Sequence, residues 1–98
     1  MANPQGFKAV KRAVIQALQD GDYQHEARAS VDVKNLLATG EVSAAEVIDV
    51  IKRSNGTNYE RSPLHKSANI DCHLIKAGGW YVKFYFVDPT TIFISVHQ

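Results

Sequence analysis

The chain has 98 residues, of which 45% are hydrophobic, so it can form one domain with a real core and is too short for two. Its 11 lysines and arginines nearly balance its 10 aspartates and glutamates, and the net charge of +1 excludes a uniformly basic nucleic-acid-binding surface. No apolar run approaches the roughly 20 residues of a membrane span, no signal peptide is recognisable, and the single Cys72 cannot form an internal disulfide, so we expect a cytoplasmic protein without membrane association.

Three helices are predicted in the first half of the chain. In residues 6–20 the apolar side chains recur at helical spacing, and Gly21 ends the pattern. A short second helix is predicted at about residues 30–38. The third begins at Ser43, which together with Glu46 matches a capping box.

Three strands are predicted in the second half, after a polar loop over residues 55–67. They cover about residues 68–75, 80–87 and 91–97, and short segments with glycine or proline separate them. Helices followed by a strand meander are typical of an α+β fold. We therefore expect a single domain in which N-terminal helices pack on one face of a C-terminal three-stranded antiparallel sheet.

Alternation along these strands divides their side chains between two faces. The even positions of the middle strand are Trp80, Val82, Phe84 and Phe86, which predicts that even-numbered residues face the helices. Three-residue turns over 77–79 and 88–90 would put the odd-numbered residues of all three strands on the other face. The expected rows across that face are Ile75, Tyr81 and His97; His73, Lys83 and Ser95; and Asp71, Tyr85 and Phe93.

Strand spacings restrict the chemistry of this predicted face. Ser95 would lie roughly 9.6 Å from His73, too far for the hydrogen bond of a catalytic triad. His73 and His97 would be roughly 12 Å apart, so we expect neither a metal site nor a cofactor. What remains is metal-independent acid–base cleavage of single-stranded RNA.

Four residues are the expected catalytic group. His97 would act as general acid or base, Lys83 and Arg61 would stabilise the phosphate, and Tyr81 would donate to the phosphate or orient the nucleophile. Ser95, the loop residue Lys66 and Tyr85, whose ring could stack on a base, are expected to bind substrate. His73 and the loop residue His65 are secondary candidates.

The second half of the chain also resembles a known family. Tyr59, Arg61 and Ser62, followed by "IDCHLI", "WYVKF" and "FISVHQ", resemble the C-terminal half of MqsR-type toxins, which are messenger-RNA interferases with a RelE-like α+β fold. The resemblance covers residues 59–98. It implies that Arg61 replaces a catalytic lysine, Tyr81 matches a catalytic tyrosine and His97 replaces a terminal basic residue. It also implies an endoribonuclease neutralised by a cognate antitoxin protein.

An open antiparallel sheet commonly has one solvated face, so a second interpretation stays open. The same face would then belong to a non-catalytic module that binds RNA or protein, such as an antitoxin or an immunity protein. Cleavage specificity would depend on the loop conformations, and the sequence is compatible with a homodimer as well as a monomer.

Overall fold

The structure, a computed structural model, describes residues 6–25, 35–64, 67–87 and 90–98. These residues form helices α1 (Phe7–Asp20), α2 (Leu36–Thr39) and α3 (Ala44–Arg53), a 3-10 turn (Gly56–Asn58), and strands β1 (Tyr23–His25), β2 (Tyr59–Leu64), β3 (Ser67–Ala77), β4 (Trp80–Val87) and β5 (Thr90–His97).

The five strands form one sheet in the order β1-β5-β4-β3-β2. Strand β1 runs parallel to β5, and the other neighbouring pairs are antiparallel. The α+β class is confirmed, and the three predicted strands correspond to β3, β4 and β5. The predicted number of strands is wrong, because β1 and β2 extend the sheet at both edges. Strand β2 occupies much of the segment predicted as a loop over residues 55–67.

Local sequence signals position the helices. Gly21 ends α1 in the left-handed conformation, with φ 73°. At the start of α3, the Ser43 hydroxyl accepts a hydrogen bond from the Glu46 N–H at 3.2 Å, and the Glu46 carboxylate accepts one from the Ser43 N–H at 3.4 Å. The predicted end of α1 at Gly21 and the predicted capping box of α3 are both confirmed. The predicted second helix corresponds in part to α2, and residues 30–34 lie outside the described residues. No described helix is long and apolar enough to cross a membrane.

The main core lies between the helices and one face of the sheet, here called the helix-side face. It contains Val10, Val14, Leu18, Leu37, Val42, Val47, Ile51, Ile75, Val82, Phe84, Phe86, Phe93 and Val96. Fully burying one such side chain contributes about 1.5–3 kcal/mol. The opposite side of the sheet is here called the open face, and its apolar cluster contains no residue of the described helices.

The turn between β3 and β4 sets which residues reach the open face. Ala77 pairs with Trp80, and Gly78 and Gly79 form a two-residue turn with φ 59° and 82°. The predicted three-residue turn is therefore wrong by one residue. A shift of one residue moves every side chain of a strand to the other face. In consequence His73 pairs with Phe84 on the helix-side face, and Lys76 lies opposite Tyr81 on the open face.

A bulge in β5 changes the second predicted pairing. Tyr81 pairs with His97 and Lys83 with Ser95, as predicted. Beyond Lys83 the register shifts, so that Phe84 pairs with Phe93 and leaves Ile94 as the extra residue. Phe93 is consequently 0% exposed on the helix-side face and not on the open face, which corrects its predicted position.

Candidate functional site

Tyr81 and His97 form a stacked pair on the open face. Their ring centroids lie 4.8 Å apart, with 14° between the ring planes. The Nδ1 atom of His97 lies 3.1 Å from the backbone oxygen of Gln98. Because a carbonyl oxygen only accepts hydrogen bonds, this contact places a proton on Nδ1. In the neutral ring Nε2 is then the atom that can take up a proton.

Two lysines flank this pair. Lys76 lies directly across from Tyr81, and Lys83 is two residues further along β4, on the same face and opposite Ser95. The Nζ atom of Lys76 lies 3.3 Å from Glu60 Oε2, an ion pair whose side chains are more than half exposed and which contributes little stability. Lys83 makes no ion pair with a carboxylate of the described ranges. Both ammonium groups can therefore serve an anionic ligand.

A pocket of about 420 Å³ adjoins the pair at the hairpin end of the sheet, a volume within the usual range for small-ligand sites. Its walls combine aromatic rings, a cation and polar groups. The lining residues are Asn58, Lys76, Ala77, Gly78, Gly79, Trp80, Tyr81, His97 and Gln98. A planar ligand that carries a negative charge suits such a surface.

A small apolar cluster lies further along the open face. Cys72 and Ile94 are buried there, and the half-buried Ile70 and Tyr85 pack against them. The Cys72 thiol is therefore buried on the open face and not among the helices. Tyr85, predicted as a stacking residue, lies on the predicted face and is partly held by this cluster.

The structure divides the predicted site residues between the two faces. Tyr81, Lys83, Tyr85, Ser95 and His97 share the open face, with Ser95 nearly buried. His65 and Lys66 lie outside the described residues.

Arg61 lies on the other side of the sheet. It pairs with His73 in the β2–β3 register, so its side chain is on the helix-side face. There its Nε atom lies 4.0 Å from Asp71 Oδ2. Two strands, β3 and β4, lie between Arg61 on β2 and His97 on β5, and the side chains of Arg61 and His97 point to opposite faces. The expected catalytic group of four therefore lacks Arg61.

His73 is a buried aromatic residue of the core and not an open-face ligand. Its side chain is only 2% exposed, its Nδ1 lies 2.7 Å from the Tyr59 hydroxyl, and its ring is near those of Phe84 and Phe86. Burial lowers the pKa of His73 to about 4, while the Asp71 carboxylate acts to raise it and the Arg61 guanidinium to lower it. The same desolvation raises the pKa of Tyr59. At neutral pH the imidazole is uncharged.

Several residues of the pocket were missed by the sequence interpretation, Lys76 above all. The sequence interpretation ends the first strand at residue 75 and leaves Lys76 in the connecting segment. The dipeptide Gly78-Gly79 was the available signal, since two adjacent glycines favour a two-residue hairpin turn with positive φ at both positions. That register places Lys76 beside Tyr81.

Within the described residues, no three histidine, cysteine, aspartate or glutamate side chains form a group that could hold a metal ion. The chain matches no family model, no curated protein and no solved structure. The geometry of the open face is therefore the basis for a functional proposal.

Proposed function

We propose that this protein is an endoribonuclease that binds single-stranded RNA on the open face and cleaves it by general acid–base chemistry without a metal ion. The observation that supports this proposal is the stacked Tyr81–His97 pair, which adjoins a pocket and has Lys76 and Lys83 as neighbours of Tyr81. A proton acceptor, a proton donor and two cations thus share one side of the sheet.

The reaction is an internal transesterification. The 2′-oxygen of the RNA attacks the neighbouring phosphorus, and the bond from phosphorus to the 5′-oxygen breaks. Nε2 of His97 takes the proton of the 2′-hydroxyl, and the Tyr81 phenol gives its proton to the leaving 5′-oxygen. The products are a 2′,3′-cyclic phosphate and a 5′-hydroxyl, and water returns the proton from His97 to Tyr81. No oxidant, reductant or second substrate is required.

The neighbouring side chains have supporting roles in this mechanism. Lys76 and Lys83 stabilise the charge that develops on the phosphoryl oxygens, a contribution that grows where water is excluded. The ring of Tyr85 offers a surface on which an unpaired base stacks, and the Ser95 hydroxyl lies beside Lys83 as a further hydrogen-bonding group.

The resemblance over residues 59–98 extends the proposal to a toxin of the MqsR type with a RelE-like fold, acting in the cytoplasm. A cognate antitoxin would then inhibit the enzyme by covering the open face. Because Lys76, Lys83 and His97 line that face, an acidic antitoxin segment would be the complementary partner.

The test is incubation of the purified protein, in excess and in EDTA, with single-stranded RNA of mixed sequence. We expect cleavage to cyclic phosphate ends, and we expect His97→Ala and Tyr81→Phe each to slow it by about 10²- to 10⁴-fold. Arg61→Gln is the matched control, since it removes a cation from the same sheet on the opposite face, and it should change the rate by no more than a few fold. Thermal melts of every variant verify the fold.

Three results would contradict the proposal in different ways. Loss of cleavage in EDTA would indicate a metal enzyme. A folded Arg61→Gln variant without activity would place the site on the helix-side face. RNA that is bound and stays intact would make the open face the surface of a non-catalytic RNA-binding module.

A further inference from the structure

A second pocket, of about 230 Å³, lies next to the first at the hairpin end of the sheet. Val50 and Arg53 of α3 form one side of it, and Asn58, Ala77 and Gly78 form the other. The last three residues also line the pocket beside Tyr81 and His97. The two pockets therefore adjoin at the hairpin turn.

Arg53 is the one charged residue among those that line this second pocket. Asp49 orients it: the Arg53 Nη2 atom lies 3.2 Å from Asp49 Oδ2, and the Nε–H donates to the Asp49 backbone oxygen at 3.3 Å. The two side chains are 64% and 69% exposed, and ion pairs of such exposure are weak. A guanidinium binds phosphate through two parallel hydrogen bonds, so a phosphate can readily replace this partner.

Asn58 lies between the two pockets and adds a hydrogen-bond donor. Its Oδ1 accepts a hydrogen bond from the Asn55 N–H at 2.8 Å. Since that bond uses the oxygen, the Nδ2 hydrogens are the atoms that this amide can offer to a ligand. Gly78 and Gly79 are exposed and have no side chains, so a strand can cross the turn close to the backbone.

We propose that an RNA strand in the pocket beside Tyr81 and His97 continues past the Gly78–Gly79 turn into the second pocket, where Arg53 binds a neighbouring phosphate of the same strand. This inference rests on the proposed function, because it requires RNA in the first pocket. It makes Arg53 a substrate-binding residue that acts on affinity and on the length of RNA bound.

The experiment measures fluorescence anisotropy of 2′-O-methyl oligonucleotides, which cannot be cleaved because they lack the free 2′-hydroxyl. An oligomer of about three nucleotides would occupy the first pocket alone, and one of about eight nucleotides would reach both pockets. Sites for single strands span about 4–16 nucleotides. We expect Arg53→Gln to weaken binding of the longer oligomer about tenfold and to reduce its salt slope by about 0.7, the value for one phosphate contact on a single strand. Binding of the shorter oligomer should stay within about twofold of the wild type.

Lys52→Gln is the matched control, because it removes one positive charge from the same end of α3 at a residue that does not line the pocket. An equal loss in both variants would overturn the inference, since it would indicate unspecific charge attraction. Wild-type affinity in Arg53→Gln would also overturn it, while cleavage that depends on His97 and Tyr81 would leave the proposed function standing. If the wild type binds neither oligomer, both proposals fall together.

Discussion

Protonation of His73 should destabilise the folded protein, because its imidazole is buried in the uncharged form. The folded protein takes up this proton only near pH 4, whereas the unfolded chain takes it up near the ordinary pKa of 6.5. Between these values the unfolded state binds more protons, so the free energy of unfolding rises with pH. The stability that the neutral ring contributes is therefore complete above pH 6.5 and is lost as the pH falls toward 4.

The magnitude follows from the size of the pKa shift. A shift from 6.5 to about 4 corresponds to about 3 kcal/mol when the loss is complete. From about pH 7.5 to about pH 5 the expected loss is about 2 kcal/mol. A domain of this kind has a total stability of about 5–15 kcal/mol, so the effect is readily measurable. The nearest charges, Asp71 and Arg61, act in opposite directions and leave burial as the main cause.

The assay is urea unfolding of the wild type and of His73→Phe, a ring of similar size, across this pH range. Subtracting the free energy of unfolding of one protein from that of the other removes the effect of carboxylates that titrate in both. We expect His73→Phe to gain about 2 kcal/mol of stability relative to the wild type as the pH falls to about 5. Tyr59→Phe is the matched control: it removes the hydroxyl that bonds to Nδ1 at a cost of about 1 kcal/mol but keeps the buried imidazole, so it should retain the pH dependence. Parallel curves for wild type and His73→Phe would refute the reasoning.

Three further predictions concern stability and accessibility. Ser43→Ala removes both the cap of α3 and its bond with Glu46 and should cost about 1 kcal/mol in urea unfolding; a loss below the error of the measurement would contradict the observed cap. Gly79→Ala places a side chain at φ 82°, where no atom crowds the new Cβ, and should cost about 1–2 kcal/mol through backbone strain alone; unchanged stability would contradict the turn conformation. Cys72, only 3% exposed, should react with a thiol reagent at least about 100-fold more slowly in the native protein than in urea, and rapid native labelling would show that the residue is exposed.

The helices were the most predictable part of the fold, because their signals are local. A capping box needs only Ser43 and Glu46, three residues apart, and the apolar stripe of α1 can be recognised within one segment of sequence. The edge strands were not predictable in this way. Strand β1 has three residues, and β2 contains Pro63 within a polar sequence, so neither has a clear alternating pattern.

The candidate site was predictable only where the strand register was correct. The pairing of Tyr81 with His97 and of Lys83 with Ser95 is predicted from a three-residue turn over 88–90. The structure instead pairs Val87 with Thr90, and the bulge at Ile94 restores the predicted register at these two pairs. The bulge at Ile94, which places Phe93 opposite Phe84 in the core, has no local sequence signal.

The register of β2 against β3 places Arg61 on the helix-side face, and it therefore excludes Arg61 from the site on the open face. The resemblance matches residues by their order along the chain, whereas alternate residues of a strand lie on opposite faces of the sheet. For Arg61 to reach the open face, β2 would have to slip by one residue against β3. The slip would remove the Tyr59 hydroxyl from His73 and bring Glu60, which is paired with Lys76, to the helix-side face. The slip would thus remove both the Tyr59–His73 and the Glu60–Lys76 contacts, so under the proposed function the phosphate is stabilised by Lys76 and Lys83 and not by Arg61.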